Sequence, residues 1–125
     1  MSPPRDRALE RIARLLRDRE MARLAELQAE QRQLTAQREA LQAQARASRQ
    51  AGQESLELFA AAERFSTWAQ RKDAELLKQM HALQGRIDGQ LPATARAVGR
   101  DENIRKVFEQ MRQQQKDLRQ RRNGV

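Results

Sequence analysis

The sequence predicts an all-α fold, a long antiparallel two-helix coiled-coil hairpin, from three observations. Of its 125 residues, 34% are charged and 3% aromatic, with five Gly and three Pro, a composition typical of long helices. Mean hydropathy is -0.97. Much of the 38% hydrophobic share is Ala, which leaves too little large apolar surface for a multilayer core. The large apolar residues nevertheless recur at steps of three, four and seven. That periodicity separates the chain from the disordered class that low hydropathy and a net charge of +8 would suggest.

Met1–Pro4 reads as a short extended lead, because each Pro biases its predecessor away from the helix. Pro4 itself suits a first helical turn, where its missing N–H costs nothing. A first helix is expected over about residues 5–49, carrying Leu9, Ile12, Leu16, Leu24, Leu27, Leu34 and Leu41. The last three lie seven residues apart, a heptad position, and the polar Gln31 and Arg38 fall between them. Those two either specify register or mark arms that separate to receive another helix. The eight-residue step from Leu16 to Leu24 reads as a four-residue stutter.

Residues 42–55 hold no large apolar side chain, so the reversal is placed at about 50–55, with Ser55 as the cap of the next helix. A second possible reversal is Arg64–Thr67, since Thr67-Trp68-Ala69-Gln70 has the form of a capping box. The second arm, about 56–88, carries Leu58, Phe65, Trp68, Leu76, Leu77, Met80, Leu83 and Ile87, with Leu91 beyond. Gly89 and Pro92 predict a kink over 89–92, because an interior Pro costs about 3 kcal/mol. Gly99 with Asp101 as an N-cap offers another weak point. A last helix over about 93–122 carries Ile104, Val107, Phe108, Met111 and Leu118. A 45-residue arm spans roughly 68 Å at about 1.5 Å per residue, and such a pair is too thin to enclose a ligand.

Composition excludes most chemistry. Without Cys there is no thiol catalysis or Cys-based zinc site, and His81 alone cannot build a metal cluster. His81 reads as a partly exposed helical side chain. No phosphate-binding glycine loop, dinucleotide fingerprint or zinc-protease motif is present. The expectation is a protein that is not an enzyme and has no cofactor, metal or small-molecule substrate. No apolar run approaches the roughly 18 residues of a membrane span, and residues 1–7 lack a secretory core, so a cytoplasmic location is expected.

Charge is unevenly placed. Up to Ala62 there are 11 basic and 9 acidic residues, and after it 14 and 8. Arg105, Arg112 and Arg119 lie seven residues apart on one helix face. Such a face suits nucleic-acid phosphates, anionic lipid or the acidic rim of a protein. Phe65 and Trp68 either plug the crossing of the two arms or anchor a partner.

The order of features then becomes informative. A helix of about fifty residues rich in Arg, Glu and Gln leads into a weakly apolar reversal. Phe65-Ser66-Thr67-Trp68 and Leu76-Leu77-Lys78-Gln79-Met80 follow, and then a basic helix through Ala97-Val98-Gly99-Arg100 and Ile104-Arg105-Lys106-Val107. This layout resembles the flagellar export protein FliJ family and the type III secretion stalk proteins of the YscO group. The resemblance implies a coiled coil similar to the stalk subunit of rotary ATPases, at the inner-membrane export apparatus. Implied partners are a hexameric export ATPase, the cytoplasmic domain of the membrane export gate, and export chaperones. It assigns the paired terminal segments to the ATPase, with Arg11, Arg14, Arg105, Arg112 and Arg119 as contacts, and the reversal end, with Phe65 and Trp68, to the gate. The residues alone leave two alternatives: a basic coiled-coil nucleic-acid-binding protein and a structural coiled-coil adaptor.

Overall fold

A computed structural model describes residues 4–124. They form two helices, α1 (Pro4–Ala51) and α2 (Leu56–Asn123), which pack against each other as a two-helix hairpin. The expected lead Met1–Pro4 lies outside the described residues except for Pro4, which is already the first residue of α1. Pro4 and Asp6 suit that end, one by lacking an orphan donor and the other by its charge against the helix dipole.

The reversal falls within the expected 50–55. Backbone N–H groups of Gly52, Gln53 and Glu54 donate to the carbonyls of Ser48, Gln50 and Ala51 at 2.9–3.2 Å, satisfying the last turn of α1. Ser55 Oγ accepts from the Leu58 N–H at 3.1 Å, the bond of a helix N-cap. Gly52 is buried, and a Cβ there would lie 3.0 Å from Ala62 Cβ and 3.3 Å from Phe59 Cα. The two helices approach that closely only because Gly52 has no side chain. The alternative reversal at Arg64–Thr67 does not occur: these residues lie inside α2, where the Thr67 hydroxyl donates back to the Glu63 carbonyl at 3.1 Å.

The chain divides into two compact units, one of Ala25–Asp88 and one of Met1–Leu24 with Gly89–Val125. In the first, which contains the turn, the buried positions are apolar: Leu27, Leu41, Ala62, Ala69, Leu76, Leu83 and Ile87. Leu41, Ala69 and Leu76 form its centre, with Leu34, Ala45 and Phe65 against them. Two polar seam residues reach across to α2, Arg38 Nε to Asp73 Oδ1 at 2.7 Å and Gln31 Nε2 to Gln84 Oε1 at 2.7 Å. Their role here is register, since each meets a partner that a slipped pairing would remove.

The terminal unit is built differently. Its buried side chains are Ala13, Thr94, Ala97 and Asp101, small or polar. The inward positions of α1 run Glu10, Ala13, Arg17, Glu20, Leu24 and Leu27, at alternating steps of three and four. The expected stutter is therefore absent. Leu9, Ile12 and Leu16 are exposed instead of buried, because the frame set by Leu27, Leu34 and Leu41 carries the neighbouring stripe inward. On α2, Leu58, Trp68, Leu77, Leu91, Val107, Met111 and Leu118 are likewise exposed, while Ser66, Asp73, Thr94 and Asp101 take seam positions. A pair of helices buries only a stripe about two positions wide on each, so Leu58, Trp68, Leu77, Leu91 and Val107, beside the stripe, stay in solvent, and Met111 and Leu118 are exposed although they continue the stripe of Ala97 and Ile104.

α2 is a single helical element through Gly89 and Pro92, rather than two helices separated at 89–92. Pro92 has no N–H to offer the Asp88 carbonyl. Bonds to α1 on either side of it offset that loss: Gln90 Nε2 donates to Glu20 Oε2 at 2.6 Å, and Thr94 Oγ1 lies 3.3 Å from the Glu20 carbonyl. Asp101 is not an N-cap. It sits in mid-helix and is 1% exposed.

Replacing Gly52 with Val forces the backbone of the turn apart and should lower unfolding free energy by about 1–3 kcal/mol, measured by urea denaturation. Leu76 and Leu77 separate the seam from its flank. Leu76→Ala should cost about 2–4 kcal/mol, and Leu77→Ala, at a position 42% exposed, less than about 1 kcal/mol in the same measurement.

Candidate interaction face

The two sides of the helix pair are distinguishable by heptad position. Take Glu10, Arg17 and Leu24 of α1, and Thr94, Asp101 and Phe108 of α2, as positions a, so that Ala13, Glu20, Ala97 and Ile104 are positions d. Between antiparallel helices, a and e positions of both chains line one side, and d and g positions the other. The turn-containing unit displays this directly. One groove is lined by Gln42, Ala45, Arg46, Arg49, Ser66, Gln70 and Asp73, at a, e or the adjoining b positions apart from its floor. The opposite groove is lined by Glu30, Gln33, Leu34, Gln79, Ala82, Leu83 and Arg86, at d, g or the adjoining c positions.

The terminal unit follows the same rule. Arg17 Nη1 donates to Asp101 Oδ2 at 2.8 Å, and Arg112 Nη1 to Glu10 Oε1 at 3.2 Å, all on the a/e side. Increasing residue numbers on α1 thus meet decreasing numbers on α2, so the segments are antiparallel. Arg7 and Arg14 of α1 and Arg105, Arg112 and Arg119 of α2 all hold e positions, with Arg11 and Lys116 at the adjoining b positions. The e and b positions of this side hold these seven cations and three carboxylates, Asp18, Glu102 and Glu109, and its a positions add Arg17 and Arg122 with Glu10 and Asp101. All five arginines singled out from the sequence (Arg11, Arg14, Arg105, Arg112 and Arg119) are exposed here together.

Beneath this face lies an ionic node that sequence reading missed. Asp101 Oδ2 accepts from Arg17 and lies 3.1 Å from Arg105 Nη2, while Asp101 Oδ1 is buried with no hydrogen-bond partner. Arg17 also donates to Asp18 Oδ1 at 2.9 and 3.1 Å. The Asp18 hydrogen bond first, then the charges of Asp18 and Asp101, hold Arg17 above the ordinary arginine range against the opposing effect of its desolvation. The signal for this node was the polar character of Arg17 and Asp101 on seam positions. It becomes visible only once the heptad frame is carried through both residues.

The charge asymmetry is sharper by unit than by half-chain. Met1–Leu24 holds seven basic and four acidic residues and Gly89–Val125 nine and four, which places the whole +8 in the terminal unit. Ala25–Asp88 holds nine of each.

Phe65 and Trp68 belong to the turn-containing unit. Phe65 packs on the central cluster, with its ring centroid 5.6 Å from that of Trp68. Trp68 is 54% exposed, so it does not plug the helix crossing. His81 is exposed, and among the described residues no group of three or more His, Cys, Asp or Glu is placed to hold a metal ion. Among the same residues, no helix is long and apolar enough to cross a membrane.

Asp101→Ala leaves Arg17 and Arg105 without their shared acceptor and should destabilise the protein by about 1–3 kcal/mol. The cost stays in that range because both arginines keep contact with water. The double change Arg17→Met with Asp101→Leu removes charge and counter-charge together and should return stability to wild type or above, by up to about 4 kcal/mol. Denaturant titration of wild type, Asp101→Ala and the double variant, with the single changes Arg17→Met and Asp101→Leu beside them, measures both effects.

No family model matches the chain, and no curated protein or solved structure matches it.

Proposed function

We propose that this protein is a stalk and chaperone-handling subunit of a flagellar or related type III secretion export apparatus. One observation carries the proposal: the five arginines lie on one side of a terminal unit that holds the entire net charge. In this reading the terminal unit enters the hexameric export ATPase, and the basic face meets acidic rims of successive ATPase subunits. Contact between one asymmetric helix pair and a ring of equivalent subunits favours ring assembly and couples hydrolysis to export. The turn-containing unit, with Phe65 half-buried and Trp68 exposed on its flank, faces the cytoplasmic domain of the export gate. The protein is then cytoplasmic and peripherally associated with the inner-membrane apparatus through its partners. Unloaded export chaperones are further partners. No catalytic step is assigned to the chain itself.

Arg11, Arg14 and Arg119 are exposed, so reversing their charge leaves the seam intact. The triple variant Arg11→Glu/Arg14→Glu/Arg119→Glu should keep its helicity by circular dichroism. It should bind the cognate ATPase about tenfold or more weakly in a pull-down series and lose its effect on ATP hydrolysis. Wild-type protein that neither binds the ATPase nor alters its hydrolysis rate would overturn the proposal.

The same cation column favours a second reading, a coiled-coil protein that binds nucleic-acid phosphates. Its affinity for a DNA duplex would fall steeply between low and physiological salt, and absence of binding at low salt removes it.

A further inference from the structure

The side of the terminal unit opposite the basic face carries a second seam. At positions c and g of α1 lie Arg5, Leu9, Ile12, Leu16, Arg19 and Arg23, again at alternating steps of four and three. Leu9, Ile12 and Leu16 form its middle and are about half exposed. On α2 the g positions of this side carry Ala93, Arg100, Val107, Gln114 and Arg121. Val107 is exposed, and beyond it Leu118 lies in a shallow depression with Gln114, Asp117 and Arg121. The hairpin buries none of Leu9, Ile12, Leu16 and Val107, although the inward stripe beside them is polar.

We propose that this face docks a third helix, supplied by a protein partner whose apolar ridge is bordered by Asp and Glu. The spacing identifies a helix. Apolar residues at alternating three and four steps, on a stripe two positions wide, match the ridge of another helix. A membrane-surface helix needs a broader apolar face. The charge identifies the border. On positions c and g of α1 over residues 5–23 every charged residue is an arginine. On the matching positions of α2 over residues 93–121 the cations Arg96, Arg100 and Arg121 face one carboxylate, Asp117. Two copies of this chain joined here would set arginine rim against arginine rim, which disfavours self-association. An acidic rim meets the same arginines favourably, and the third helix completes a three-helix bundle. The site lies on the side away from Arg11, Arg14, Arg105, Arg112 and Arg119, so it is independent of the ATPase-facing surface proposed above.

The probe is a synthetic amphipathic peptide of about three heptads, with Leu at a and d and Glu at e and g, titrated against the full-length chain. A peptide with Lys in place of Glu is the control. The Glu peptide should bind at least about tenfold more tightly than the Lys peptide. The variant Leu9→Gln/Ile12→Gln/Leu16→Gln should lose at least about tenfold in affinity, while Arg11→Glu/Arg14→Glu should bind more tightly than Leu9→Gln/Ile12→Gln/Leu16→Gln. The chain has no native Cys, so a polarity-sensitive label on Ile12→Cys reports the site without the triple variant. Its emission should shift to the blue with the Glu peptide, and a label on Arg11→Cys should not. Equal binding of the two peptides, or no emission shift at Ile12→Cys, overturns the proposal. So does a dimer by sedimentation that the glutamine variant dissolves, which would make the occupant a second copy. Binding to phosphatidylglycerol vesicles through the same leucines, without peptide binding, would make it a membrane.

Discussion

Two helices can hide only one stripe of each other, and this limit organises everything else in the chain. Leu27, Leu34 and Leu41 set the frame of that stripe on α1. A helix that keeps its three-four rhythm cannot change frame without a stutter, and none is present. Extending the frame toward the N-terminus brings Glu20, Arg17 and Glu10 inward and leaves Leu9, Ile12 and Leu16 outside. Polar residues on a seam must be paired, so the terminal unit carries the Glu20–Gln90–Thr94 hydrogen bonds and the Arg17–Asp101 ion pair.

The two units therefore differ in what holds them. In the turn-containing unit, leucines and alanines bury apolar area, and each fully buried Leu contributes on the order of 1.5–3 kcal/mol. In the terminal unit, ion pairs and amide hydrogen bonds replace most of that area. Their net contribution is small, because both partners were well solvated before pairing. They discriminate between registers more than they stabilise. The same unit keeps many of its large apolar side chains on the surface and carries all of the net charge, so it is both the less apolar part inside and the more charged part outside.

Several elements were legible in the residues. Ser55 after a stretch without large apolar side chains marked the reversal, and the Leu heptad marked the seam of α1. The five arginines chosen for their charge and resemblance fell on one side, since e positions repeat every seven residues and antiparallel packing places both sets together. Other elements were misread for identifiable reasons. Thr67 had the form of a cap, but a threonine hydroxyl also bonds back to the carbonyl four residues earlier, which is what it does here. Pro92 and Gly89 do not end α2, and Gln90 and Thr94 beside them bond to Glu20. Asp101 looked like a helix start because it stands two residues after Gly99, and only its partner Arg17, 84 residues away, explains it as a seam residue.

The class of fold, the place of the turn and the sign of the charge can be read from the residues alone. Each of these follows from local composition and periodicity. Tertiary structure decided which of two adjacent stripes on the N-terminal part of α1 is buried. Apolar content favoured Leu9, Ile12 and Leu16, whereas the frame shared with the rest of α1 and its pairing with α2 selected Ala13, Arg17 and Glu20. A local window cannot weigh the two, because the frame is set by leucines several turns away and the compensating partner for Arg17 lies on the other helix.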